Sequence, residues 1–408
     1  MTSEARSTRP GTAGVDPPGS TLQLTLATVG FAICFWAWAL LSPLGNSYGE
    51  LYALTDFEVS VLVAVPVIVG SLGRIPMGAL TDRFGARVMF PLAAALTILP
   101  VLFIGFVADT LLWLLVGGFF LGLGGTTFAI GVPFVNSWYP PARRGTAIGL
   151  FGAGMGGTAV ASFSTVPIRD AWGDAAPFVI VSAALAVFAV VARLVLCDSP
   201  AWVPGSGGGM LARTWAIVRL PATLQLSWLY AIGFGGFVAF SVYLPTFLEN
   251  AYDLEPSDAS FRTAGFVVLA VIMRPVGGTL SDRFGGVAVN AVCYAAVMLF
   301  AAVIVLQPAL MPGATIAFLG MAAGLGASSG ATFALVAQMA PADKVGGVTG
   351  VVGAAGGLGG FIPPLIMGAV YSVDGDYDLG FGLLAATALL TLLFTLGPVR
   401  RRTRAMAG

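Results

Sequence analysis

Two arginines lie in apolar, glycine-rich stretches of a 408-residue chain that is 57% hydrophobic and 9% charged. They are Arg74 in GRIPMGALTDRFG and Arg274 in MRPVGGTLSDRFG, which match in their surroundings. A guanidinium stays charged and presents a planar fork of N–H donors. A permanent cation at membrane depth is costly, so it faces a cavity or a partner and marks a transport path. Two opposed forks suit a small oxyanion held by charge-assisted hydrogen bonds. The competing reading is that each arginine donates to a helix carbonyl or snorkels to the interface. Arg74 precedes Asp82 by about 12 Å of helix, at 1.5 Å per residue. Arg274 stands in the same relation to Asp282, so both lie well inside the membrane.

These residues need a membrane scaffold. The charged fraction is far below the roughly 25% of soluble domains. The apolar runs have helix length, which excludes a β-barrel. Twelve spans are expected near 22–44, 57–79, 87–107, 111–136, 145–166, 175–196, 223–247, 262–281, 287–307, 312–337, 345–370 and 379–398. The fold class is an all-α membrane protein with twelve transmembrane helices in two pseudo-symmetric six-helix bundles. Residues 1–20 read as a disordered cytoplasmic tail, 21–196 as the first bundle and 197–222 as a cytoplasmic linker. The second bundle is 223–399, and 400–408 is a basic cytoplasmic tail. Besides the arginine segments, PARR at 141–144 corresponds to PADK at 341–344, and GLGGTTFA at 122–129 to GLGASSGATFA at 324–334. Such matches mark parallel repeats.

Charge is sorted by side, with Arg169 and Arg262 as minor exceptions. Arg83, Arg87, Arg143, Arg144, Arg213, Arg219, Arg283, Lys344 and the arginines at 400–402 and 404 fall on one side. Glu50, Asp56, Glu58, Asp174, Glu249, Asp253 and Asp376 are among the acids on the other. The positive-inside rule puts both termini in the cytoplasm of a multi-pass inner or cytoplasmic membrane protein. Histidine is absent and the three cysteines have no metal or disulfide spacing. No hydrolytic triad or dinucleotide fingerprint occurs, so the chain is expected to be a transporter, not an enzyme, with no cofactor and no metal. PARRG reads as a cytoplasmic loop, and no nucleic-acid partner is expected. Membrane lipid is the expected surrounding partner.

The DRFG repeats sit between spans 2 and 3 and between spans 8 and 9. Asp82, Arg83, Asp282 and Arg283 are candidates for an inward gate, alongside their plainer role as turn and topology residues.

Through its twelve-span pattern and both DRFG segments, the chain resembles the major facilitator superfamily over nearly all of residues 20–400. More narrowly, it resembles the nitrate/nitrite porter family. The carrying features are FWAWALLSPLG at 35–45, GSLGRIPMGALTDRFGARVMFP at 70–91, GLFGAGMGG at 149–157, RPVGG at 274–278 and GAAGGLGGFIPP at 353–364. The resemblance implies alternating access, nitrate and nitrite as substrates, and both arginines in substrate binding. It also implies that Phe128, Tyr230 and Phe234 surround the anion, with ordinary packing as the other reading for the phenylalanines. Phe333 is the repeat counterpart of Phe128. Asn136, Gln338, Phe333 and Met155 are possible pocket or gate residues. Gly152, Gly154 and Gly156 in one half, and Gly356, Gly357, Gly359 and Gly360 in the other, let helices approach and slide, with static packing as the plainer reading. Met155 and Ala39 stand where family members commonly carry asparagine, which removes two neutral donors.

Import of a lone anion works against an inside-negative potential, about 2.3 kcal/mol per 100 mV. Exchange of nitrite for nitrate cancels that term; proton symport is the alternative. The expected spans hold no histidine and no mid-membrane carboxylate, which favours exchange. Transport of another small or organic anion, and a non-transporting membrane sensor, remain as other readings. A monomer is the family expectation.

Overall fold

The computed structural model describes residues 17–200, 202–204, 210–341 and 345–407. Residues 1–16 of the tail expected over 1–20, the glycine-rich run 205–209, Lys344 and the side chains of Arg144 and Arg213 lie outside the described part. Among the described residues, twelve helices are long and apolar enough to cross a membrane. In the first half they are α1 (Ser20–Tyr52), α2 (Asp56–Phe84), α3 (Ala86–Phe106), α4 (Leu111–Trp138), α5 (Ala147–Trp172) and α6 (Ala176–Val195). The second half has α7 (Pro221–Tyr252), α8 (Pro256–Phe284), α9 (Gly286–Val305), α10 (Leu310–Met339), α11 (Gly347–Asp374) and α12 (Asp378–Met406). This is the all-α, two-bundle architecture expected from the apolar runs.

Local chemistry sets the helix ends. Thr55 and Glu58 form a reciprocal capping box at the start of α2: Thr55 N donates to Glu58 Oε2 at 2.8 Å, and Glu58 N to Thr55 Oγ1 at 3.3 Å. Glu58, expected only as a topology charge, is thus a capping residue. Thr55→Ala is expected to remove about 1 kcal/mol of stability, read as a lower thermal midpoint of the purified protein. Each DRFG segment ends at a glycine of positive φ, Gly85 at 80° and Gly285 at 84°. A side chain would be strained in that conformation, so glycine permits the turn into the next helix.

Two stretches differ from the sequence expectation. PARR is not a loop: a helix begins at Pro141 and runs to Gly152. Proline suits the first helical position, because its φ is preset and its missing N–H would be unpaired there. Within the expected linker, Met210–Val218 is helical. The glycine-serine composition belongs only to the residues before it.

The two arginine-bearing helices are seated by glycine contacts. In the first half, a Cβ on Gly125 would lie 2.9 Å from Gly70 Cα, and one on Gly122 would lie 2.4 Å from the Pro66 carbonyl. In the second, a Cβ on Gly330 would fall on the carbonyl oxygen of Arg274 itself, and one on Gly326 on that of Ala270. Backbone-to-backbone packing of α2 on α4, and of α8 on α10, therefore positions both guanidiniums. The halves differ in one respect. α2 is broken into Asp56–Ala64, Pro66–Leu72 and Arg74–Phe84, so Arg74 opens a new helical segment, whereas α8 runs unbroken through Arg274.

Candidate anion-binding site

Arg74 and Arg274 come from different halves and meet around the same rings. The Arg74 guanidinium carbon lies 5.2 Å from the Phe128 ring centre and 5.6 Å from that of Phe234. The Arg274 carbon lies 6.0 Å from Phe128 and 5.7 Å from Phe234. Tyr230 and Phe333 complete its aromatic surroundings at 6.0 and 5.6 Å. Tyr230 and Phe234, one helical turn apart on α7, stack at 4.8 Å with a 4° interplanar angle. Phe333 meets Tyr230 edge to face at 4.8 Å.

Arg74 is buried, with 7% of its surface exposed. Its Nη1 donates to the Gly353 carbonyl of α11 at 2.8 Å, and Nε to the Gly125 carbonyl at 3.4 Å. Arg274 is half-buried. Its Nη2 donates to Tyr230 Oη at 2.9 Å, and Nη1 points at Met155 Sδ. Carbonyl pairing, weighed from the sequence as the alternative to a substrate role, thus occurs for Arg74. It leaves N–H groups free on a five-donor fork. Neither guanidinium has an ion-pair partner among the described residues. Cation–π contacts and neutral acceptors soften the two charges but do not neutralise them. An oxyanion placed between them can supply the missing negative charge. It can also displace the thioether, a weak acceptor.

The glycine strips line this centre unequally. A Cβ on Gly152 would come 4.0 Å from Arg274 Nε, and one on Gly156 would meet nothing within 4 Å. Gly154 packs on Phe31 and Thr28, where a Cβ would come 2.6 Å from the Phe31 ring. Gly356 packs on the Tyr230 ring, Gly359 on the Ala231 backbone and Gly360 on Val238. Gly357 lies against Ser71 of the opposite half, where a Cβ would fall 2.1 Å from Ser71 Oγ. Asn136 is half-buried near the end of α4 and Gln338 is exposed near the end of α10; neither hydrogen-bonds either arginine. Asp82, Arg83, Asp282 and Arg283 are all exposed. Arg83 and Arg283 each lie 5.1 Å from the ring of the following phenylalanine, and among the described residues none of the four forms an ion pair. A latch between DRFG groups is therefore not formed in this conformation.

The opposite end is tied together. Asn46 Nδ2 lies 2.9 Å from both Glu249 Oε2 and Asn250 Oδ1, and Ser42 Oγ lies 2.8 Å from the Val242 carbonyl. Gly368 of α11 fits against Ser60 of α2. Sequence reasoning counted Glu249 only as a topology charge and passed over Ser42 and Asn46. Their four-residue spacing in an otherwise apolar run was the available signal.

A two-half bundle with repeat-related arginines at its centre and one end sealed has the organisation of an alternating-access carrier. The family model for the Major Facilitator Superfamily matches residues 26–364. The chain belongs to the major facilitator superfamily. Within it, the chain is 48% identical over 382 residues to the probable nitrate/nitrite transporter NarK2 of Mycobacterium tuberculosis (strain CDC 1551 / Oshkosh), covering 92% of this chain and 96% of that one. It is 37% identical over 375 residues to the nitrite extrusion protein of Bacillus subtilis (strain 168), covering 92% and 93%. The probable nitrate transporter NarT of Staphylococcus epidermidis (strain ATCC 35984) is 32% identical over 376 residues, covering 91% and 94%. Among solved structures, a bacterial homologue of the human lysosomal transporter Spinster, inward-facing and unoccupied, superposes with a TM-score of 0.68 at 18% identity, covering 96% and 98%. That likeness concerns the fold. Superfamily membership makes the chain a secondary transporter, not an enzyme.

Proposed function

We propose that this facilitator carries nitrate and nitrite, with Arg74 and Arg274 as a two-sided clamp on the anion. The observation that carries the reading is two guanidiniums, one per half, on shared aromatic faces and, among the described residues, without a carboxylate partner. The relatives are named as a probable nitrate/nitrite transporter, a nitrite extrusion protein and a probable nitrate transporter, which fits the chemistry of the site. Both substrates are planar and oxygen-bearing, and match guanidinium forks. Phe128, Phe234 and Phe333 shape the space, and Tyr230 supplies a hydroxyl.

The cycle follows from charge. Without an anion, the two cations repel and resist closing together. With one bound, that repulsion is offset and the halves can rock around it. On the positive-inside reading the DRFG end and both termini face the cytoplasm, and the hydrogen-bonded Asn46 end faces outward. Asp82, Arg83, Asp282 and Arg283 then latch the inward end only in the opposite state. The glycine strips let α5 and α11 slide during that change. The protein works as a monomer.

Exchange of nitrite for nitrate moves no net charge and is the preferred mode. Proton symport is the second reading, and Glu249, half-buried between the halves, is the carboxylate that favours it. Uptake of labelled nitrate by proteoliposomes tests both. Trapped nitrite should stimulate uptake without an imposed pH gradient. Uptake that needs a pH gradient and ignores trapped nitrite would establish symport instead. No uptake or binding of either anion would overturn the substrate assignment.

The outer seal gives a separate expectation. Asn46→Ala removes the donor that Glu249 and Asn250 share, so amides of α7 around residues 241–249 should exchange with deuterium faster than in the wild type. Unchanged exchange there would show that this hydrogen-bonded tie does not hold the end closed.

A further inference from the structure

The chain's densest group of like charge lies outside the transport site. α12 passes through a wide turn at Thr395–Val399 and continues as the helix Arg400–Ala407. This last segment is docked: Thr403 Oγ1 donates to the Val399 carbonyl at 2.9 Å and lies 3.8 Å from Met339 Sδ of α10. It carries Arg400, Arg401, Arg402 and Arg404, and no acidic residue follows Asp378. Arg400, Arg401 and Arg404 are exposed and Arg402 is half-buried. Among the described residues none of the four has an ion-pair or hydrogen-bond partner.

Position says what these charges meet. Leu389, Leu393 and Leu396 are exposed along α12, and Arg400 and Arg404 continue the row at the same three-to-four-residue spacing. A row of exposed leucines on a membrane-spanning helix faces acyl chains, and the residues directly beyond it meet headgroups. At the same end of the bundle, Arg219 lies 4.8 Å from the ring of exposed Trp215, an amphipathic pairing suited to the interface. A run of basic residues just beyond a spanning helix attracts anionic lipid. Phosphodiester oxygens match guanidinium donors in charge and geometry.

We propose that Arg400, Arg401, Arg402 and Arg404 form a binding surface for anionic phospholipid headgroups. The surface is independent of the substrate reading, because none of its residues touches Arg74 or Arg274. The test offers phosphatidylglycerol and phosphatidylcholine separately to the purified full chain and measures retained lipid by native mass spectrometry. Wild type should retain phosphatidylglycerol preferentially, and rising KCl should weaken the preference. Replacing all four arginines by Gln should lower phosphatidylglycerol affinity by about tenfold or more. Replacing all four by Lys should largely keep it, since attraction to a charged surface needs charge rather than a fork. Thermal midpoint and nitrite binding should match the wild type in both variants. Equal retention of the two lipids by the wild type, salt-insensitive retention, or an unaltered preference in the Gln variant would each overturn the proposal. If the Gln variant does not fold, the wild-type salt series and the single changes Arg400→Gln and Arg404→Gln decide it by the same criteria.

Discussion

Arg274→Lys and Arg74→Lys are each expected to lower nitrate and nitrite binding by at least about tenfold while leaving a folded protein. A hydrogen bond to a charged group contributes roughly 1.5–3 kcal/mol, so losing one arm of a fork gives tenfold or more. Lysine keeps the charge but replaces a rigid planar fork with a single rotatable ammonium. It cannot reproduce the two directions seen at Arg274, where Nη2 meets Tyr230 Oη and Nη1 faces Met155. At Arg74 it cannot span the carbonyls of Gly125 and Gly353. Titration calorimetry of each variant with nitrite, beside its thermal midpoint, separates lost binding from lost folding. Wild-type affinity in both variants would show that guanidinium geometry is not what holds the anion.

The second large effect is expected at Gly330. Its Cβ position falls on the backbone carbonyl oxygen of Arg274, so Gly330→Ala cannot be absorbed by turning a side chain. α8 and α10 must separate, at about 1–3 kcal/mol of stability. The same movement carries Arg274 away from Tyr230, so nitrite affinity should fall with the thermal midpoint. Gly278→Ala is the matched control, because a Cβ there meets nothing within 4 Å. Equal behaviour of the two variants would remove the claim that backbone packing of α8 on α10 positions Arg274.

What was legible in the sequence depended on the range of the physics. Long apolar runs report membrane helices directly, so the twelve spans and the two-half plan emerge from length and hydropathy. The arginines were legible because a buried cation is conspicuous in an apolar run. Tyr230 and Phe234 were legible as a pair because a four-residue spacing puts them on one helix face. The breaks in α2 beside Pro66 and Gly73 were not, since α8 carries the matching arginine and Pro275 on a continuous helix. The acceptors of Arg74 were hidden for a different reason. Gly125 and Gly353 offer only backbone carbonyls, and any residue type carries one. Met155 stood out as a departure from the family pattern, but only the fold reveals that it crosses the interface to face Arg274. The contact of Glu249 with Asn46 was not legible, because its charge fits the sidedness rule whether or not Asn46 lies across from it.

The most direct test of the two-sided clamp is a structure of the protein with nitrite bound. A two-sided clamp puts nitrite oxygens within about 2.7–2.9 Å of guanidinium nitrogens from both Arg74 and Arg274, beside Phe128 and Phe234. Nitrite bound elsewhere, or held while either side chain points away from the space between the halves, would contradict it.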